Sequence, residues 1–223
     1  LLELRTDHVL ELPLTALVTL ALWRLGVWWS PRGGGQWWQA LFAATSVTLA
    51  ILVKQSSLLV LLPALGWASV AAQRIGQGRR VQTLAGLILV MVCVFPWLRH
   101  NWITTIGGTN RAVIESAALE GDPGAFSMEG WLWYLRHFPE QIGSLMLCIG
   151  LSGLMLLLLM RNRSGIEASS NPLDCKASWR WLVGTLLLGW IFTNFSPNKD
   201  SRYIAPLLPP LLLLLSRGWW QWG

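Results

Sequence analysis

The sequence predicts an all-α fold: a polytopic transmembrane helix bundle of about seven membrane segments, with one long extracytoplasmic loop. Three observations predict it. Charged residues make up only 13% of the 223 positions, about half of the roughly 25% usual in soluble domains. Hydrophobic residues make up 53%, mean hydropathy is +0.48, and several apolar runs approach the roughly 20 residues that a bilayer crossing needs. Sixteen tryptophans suit the water–lipid boundary, where an apolar ring with a polar edge is at home. The competing expectation, a soluble helical protein with a very apolar core, does not need runs of this length.

The first segment spans about 12 to 29, with Pro13 tolerated in its first turn because the amide hydrogen it lacks is unpaired there anyway. Ser30 to Gln36, SPRGGGQ, is a loop on turn chemistry. The second segment spans 37 to 53, and Lys54-Gln55-Ser56-Ser57 makes a tight break. The third spans 58 to 72, Gln73 to Arg80 is a basic loop, and the fourth spans 81 to 98. A long polar stretch, 99 to 130, follows, with turns expected at Gly107-Gly108 and Asp122-Pro123-Gly124. Trp131 to Gly143 mixes aromatics with Arg136 and His137 and reads as interfacial. The fifth segment spans about 141 to 160, Arg161 to Arg180 is a second polar loop, and the sixth and seventh span 181 to 195 and 203 to 216.

Seven crossings alternate the loops between two faces. One face carries the N-terminal residues, the Lys54 break, the 99–141 region and the 196–202 loop, with seven basic and nine acidic residues. The other carries ten basic and two acidic residues. Lys and Arg favour the cytoplasmic side, so the first face is extracytoplasmic. The net charge of +6 thus reflects topology. Its basic residues sit in short loops without the dense stripe that nucleic-acid binding requires, and no nucleic-acid partner is expected. Cys93, Cys148 and Cys175 form no C-x-x-C pair, and His8, His100 and His137 are scattered, so neither a disulfide framework nor a histidine metal motif is indicated. The chain opens Leu-Leu-Glu-Leu without a basic n-region, so no signal peptide is read, and both ends look like cuts through a longer protein.

The unusual polar residues fall on the extracytoplasmic face. Lys54 punctuates two apolar runs, where an ammonium either snorkels or serves a ligand. Lys199 and Arg202 are three apart and share a face if the turn there is helical. With Arg99 or His100 they form a cation set suited to phosphate, whose oxygens need several donors at once. Asp7 and Glu11 are i and i+4 and stack on one face if the helix begins early. Two carboxylates there suit general-base work or a divalent cation, the one candidate cofactor; the plainer alternative is acid at a helix N-terminus, favourable to the dipole. Glu120 and Asp122 read as a solvated turn.

Four stretches in this order resemble the GT-C class of integral-membrane glycosyltransferases, family 39 type, which includes the dolichyl-phosphate-mannose–protein mannosyltransferases and bacterial lipid A aminoarabinose transferases. Glu11-Leu-Pro13-Leu-Thr-Ala resembles that family's second acidic motif. LAILVKQSSLLVLLPAL resembles its Thr-Lys-Gly or Thr-Lys-Gln break, with Val53 in place of Thr. PWLRHNW resembles its Pro-Trp-aromatic-Arg exit to the outer loop. PNKDSRYIAPLLPPLLLL resembles its Lys-x-x-Arg-Tyr-x-x-Pro-x-x-Pro run. The resemblance implies a sugar transferred from a polyprenyl-phosphate donor to a lipid, glycan or protein acceptor on the extracytoplasmic face of a membrane. Lys54, Lys199, Arg202 and Tyr203, with Arg99 and His100, would hold the lipid phosphate, and Glu11 and Asp7 would be the acidic residues of catalysis. It also implies that the chief catalytic acid lies upstream of Leu1, so that this stretch alone is expected to be inactive. A transporter or lipid flippase is the alternative of a different class, and a glycan polymerase or ligase component a third.

Overall fold

A computed structural model describes residues 10–31, 33–163 and 172–222. Among them there is no strand, and the chain is a succession of helices. Helix α1 is Glu11–Trp29, α2 Trp37–Val53, α3 Ser57–Ile75 and α4 Gln77–Asn110. A π-helical turn, Arg111–Glu115, leads into the short α5, Ser116–Glu120. Then follow α6 Met128–Ile142, α7 Ser144–Arg163, α8 Pro172–Asn194, a 3-10 helix Ser201–Leu207, and α9 Leu208–Trp219.

Three helical stretches are long and apolar enough to cross a membrane: Glu11–Trp29, Ser57–Ile75 and Gly78–Glu120. Met128–Ile142 and Ser144–Leu159 pass only as a pair, bent by 109° at their junction, and Trp37–Val53 is a shorter apolar helix. The outward face of α4 carries Val81, Leu84, Ile88, Met91, Val92 and Phe95 in exposed positions. A row of this size suits contact with hydrocarbon.

The core lies where α1 packs between α2 and α3, with α4 against α2, α8 against α3, and α9 against α7. Val18 and Ala21 of α1, Val47 and Ala50 of α2, and Leu61, Ala64 and Ala68 of α3 are essentially without exposure. Alanine at these crossings allows close approach of helix axes. The tryptophans divide between two roles. Trp23, Trp37, Trp38 and Trp102 are exposed, as a boundary role requires. Trp181, by contrast, is buried, packs against Trp29 and Trp67 with ring centroids 5.7 and 6.2 Å away, and donates its indole N–H to the Leu22 carbonyl at 3.2 Å.

Several expected loops are shorter than the sequence suggested. The basic loop over 73–80 is reduced to Gly76, between Ile75 and Gln77. The long loop over 99–130 is a correction: α4 runs straight through Gly107-Gly108, and helix continues to Glu120. Two glycines cost about 2 kcal/mol of helix propensity, but no proline follows until Pro123, and Ala, Ile, Leu and Glu favour continuation. Gly121, with φ +70, ends it in the left-handed conformation. The 161–180 loop is also narrower, because α7 reaches Arg163 and α8 begins at Pro172. The last segment begins as the 3-10 helix rather than an α-helix.

Arg79, expected in a solvated loop, is buried instead. Its guanidinium donates to the Trp28 carbonyl and, at 3.2 Å, to that of Ser30, the last acceptors of α1. Gln82 completes the clamp, accepting from the Trp28 indole at 2.8 Å and donating to the Gly35 carbonyl at 2.6 Å. A cation on orphan C-terminal carbonyls is favoured by both hydrogen bonding and the helix dipole. Arg79→Ala is expected to cost about 2 kcal/mol, the scale of charged hydrogen bonds lost from a buried site, read as a lowered unfolding midpoint. Arg80→Ala, at an exposed position, is expected to leave the midpoint unchanged.

Candidate functional site

The end of the bundle opposite Arg79 gathers three separate stretches. Helix α2 ends at Val53, and Lys54 follows in extended backbone, its N–H still bonded to the Ala50 carbonyl. Only Gln55 and Ser56 separate Lys54 from α3, so the ammonium is held at the junction by a turn of fixed length, with the Ser57 N–H on the Lys54 carbonyl at 3.1 Å. Glu11 occupies the first turn of α1, where the positive end of the helix dipole favours a carboxylate. Lys54 Nζ pairs with Glu11 Oε1. On its other side the ammonium lies 5.7 Å from the Tyr203 ring centroid, within cation–π range.

Glu11 is only 6% exposed, and its second oxygen, Oε2, is buried with no hydrogen-bond partner. Such a carboxylate is stable only while a cation faces it. The Lys54 side chain is less enclosed, at 31% exposure, and lines an open groove of about 750 Å³. Tyr203, Ser196 and Pro197 form one wall, and Trp97, Asn101, Thr104 and Thr105 of α4 form another.

Asp200 organises the loop before Tyr203. Its Oδ1 accepts from the Arg202 N–H at 2.9 Å, capping the 3-10 helix, and its Oδ2 accepts from Arg202 Nε at 2.6 Å. Burial alone would raise the Asp200 carboxyl, but the side-chain and backbone bonds from Arg202, with the charges of Arg202 and Lys54, outweigh it and hold the group below the ordinary carboxylate range. Because the Asp200 value is depressed in the fold, its stabilisation is complete above the unfolded value near 3.8 and is lost as pH falls through the folded value. Asp200→Asn is therefore expected to lower stability at pH 7 by about 1 kcal/mol, given the partly exposed pair, and the difference is expected to shrink as pH falls below the unfolded value. Thermal unfolding across that pH range checks it.

The predicted residues are thus divided by the fold. Lys54, Glu11 and Tyr203 meet, and Asp200 and Arg202 lie beside them. Lys199 and Arg202 do not share a face, because Lys199 precedes the 3-10 helix and turns inward. Only 3% exposed, Lys199 donates to the Asn194 carbonyl at 2.7 Å and sits 5.4 Å from the Tyr134 ring centroid. Burial pushes its ammonium below the usual lysine value, with Asp122 opposing. Arg99 and His100 are exposed on α4, and of the predicted phosphate ligands only Lys54 and Tyr203 line the groove, whereas Arg99, His100, Lys199 and Arg202 do not. Asp7 lies outside the described residues, so its stacking on Glu11 has no structural account. Among the described residues no group of three His, Cys, Asp or Glu side chains gathers.

Two residues were misjudged or missed. Asp122, expected in a solvated turn, accepts the Lys199 backbone N–H at 2.7 Å and ties the 196–202 loop down. Asp200 went unassigned, although an Asp two residues before Arg202 is the spacing of a side-chain cap. Comparison of the chain with protein-family models, curated proteins and solved structures gave no match.

Proposed function

We propose that this chain is part of a membrane glycosyltransferase that moves a sugar from a polyprenyl-phosphate donor to a lipid, glycan or protein acceptor at the extracytoplasmic face, within a seven-crossing bundle. One observation carries the reading: a lysine ammonium, set between a buried carboxylate and a tyrosine ring, borders an open groove at one end of an apolar bundle. A donor whose tail lies in the bilayer would bring its phosphate to that depth.

In the reaction an acceptor hydroxyl or amine attacks the anomeric carbon. The bond from that carbon to the phosphate oxygen breaks, and the electron pair leaves with the lipid phosphate. Lys54 would neutralise the developing charge, a role in which a fixed cation lowers the barrier. Arg202, oriented by Asp200, would supply a second set of donors. Glu11 would position Lys54 and the acceptor, and a carboxylate base would take the acceptor's proton. A divalent cation, if used, would find one free carboxylate oxygen on Glu11. Lys199 anchors the loop in this scheme.

The test is sugar transfer by the full-length protein from a radiolabelled polyprenyl-phosphate sugar. Arg202→Ala is expected to abolish transfer with membrane insertion intact, and Arg80→Ala to leave it unchanged. Turnover undiminished in the Arg202 variant would overturn the phosphate role.

A further inference from the structure

A second cavity, of about 1120 Å³, opens along the opposite half of the bundle between α1, α8 and α9. Apolar side chains line one end, among them Ala16, Leu20, Leu182 and Pro210; Trp179, Arg217 and Trp220 line the other, and Thr19, Thr185 and Ser216 also face it. Arg217 lies with its guanidinium carbon 4.4 Å from the Trp179 ring centroid, and among the described residues no carboxylate pairs with it. From Pro210 to Gln221 the groove extends about 16 Å at helical rise, roughly half of a 30 Å hydrocarbon core.

We infer that this groove is a binding site for an anionic phospholipid of the leaflet opposite Lys54, its phosphate on Arg217 and one acyl chain between α1 and α9. Four properties select that occupant. The depth fits one leaflet's chain. The walls suit hydrocarbon. Among the described residues Arg217 is the only cation lining the cavity, and it sits at the end where a headgroup lies. The Trp179 face holds the guanidinium plane, leaving its edge donors for a phosphate fork. The site is separate from the Lys54 groove, since α1 and α9 both run away from Glu11 and Tyr203 towards it, so it stands or falls independently of the transferase reading.

The experiment uses the full-length protein in phosphatidylcholine nanodiscs doped with brominated phosphatidylglycerol or, in a matched series, brominated phosphatidylcholine. Tryptophan quenching reports occupancy. Brominated phosphatidylglycerol is expected to quench at about fivefold lower mole fraction, the worth of one interfacial arginine. Arg217→Gln is expected to abolish that preference. Ala16→Phe, which fills the apolar end from an exposed position, should weaken both lipids alike. Arg80→Gln, an exposed arginine at the same end, should change neither. A preference that survives in Arg217→Gln, or that falls equally in Arg80→Gln, would overturn the site and assign the effect to general surface charge. No response to Ala16→Phe would overturn the placement of the chain.

Discussion

Lys54→Ala in the full-length protein is expected to stop sugar transfer and to lower stability by about 2 kcal/mol. Removing one member of a buried ion pair costs about 3–5 kcal/mol; the lower figure applies because water reaches the Lys54 side chain, at 31% exposure, while Glu11 is enclosed. What remains after the substitution is a carboxylate with one oxygen already lacking a partner and the other newly deprived of its cation. The double variant Lys54→Ala/Glu11→Gln separates stability from chemistry. A neutral amide removes the stranded charge, so most of the stability should return, while transfer should stay lost because the groove still lacks its ammonium. Thermal unfolding followed by tryptophan fluorescence and a radiolabelled transfer assay read the two effects. If the double variant regained transfer, Lys54 would be a structural counter-ion and no ligand for phosphate.

Gly218→Leu is expected to be among the most damaging substitutions away from the groove. Helices α7 and α9 cross at Gly150, Gly153 and Gly218. A Cβ at Gly153 would run into the Gly218 carbonyl, and one at Gly218 into that of Gly150. At Gly150 it would lie 2.8 Å from both Leu215 Cδ2 and Trp219 Nε1. Because most of the obstructing atoms are backbone, the helices must separate, and the bonds from Trp219 to the Met146 carbonyl at 2.8 Å and from Trp222 to the Ile149 carbonyl at 3.3 Å would go with them. Overpacking of this kind costs about 3 kcal/mol. Gly66→Ala makes the contrast. Nothing lies within 4 Å of a Cβ there, and alanine in an exposed turn of α3 should raise the unfolding midpoint slightly.

The residues show why some of this was legible in the sequence and some was not. The second segment was read at 37–53 and α2 has those bounds, because a Gly-rich turn before it and a Lys-Gln-Ser-Ser break after it are local signals. That Glu11, Lys54 and Tyr203 lie at one end of the bundle was legible, because each stands at an abrupt edge between polar and apolar sequence and such edges collect at one level; that Glu11 pairs with Lys54 was not, because the sequence stacked Glu11 with Asp7 instead. Lys199 was not legible. Its inward turn depends on Asp122, Tyr134 and Asn194, which are 77, 65 and 5 residues away along the chain, and nothing in its neighbours announces burial. Gly107-Gly108 misled because glycine weakens a helix without stopping it, whereas proline or a left-handed residue such as Gly121 stops it outright. The polar wall on α4 could have been found, since Asn101, Thr104, Thr105 and Gly108 recur at helical spacing.

Helix α4 joins the two ends of the molecule, with Pro96 inside it as a point where it can bend. From the clamped Arg79 to Thr104 on the groove wall, 25 helical steps span about 38 Å. A pivot of ~5° at the anchored end would move the wall by ~3 Å if carried whole along the helix, and bending at Pro96 absorbs part of it. Loosening the Arg79 clamp would therefore reach the groove beside Lys54 only as far as Pro96 passes it on, which makes that proline the coupling point between the two ends of the bundle.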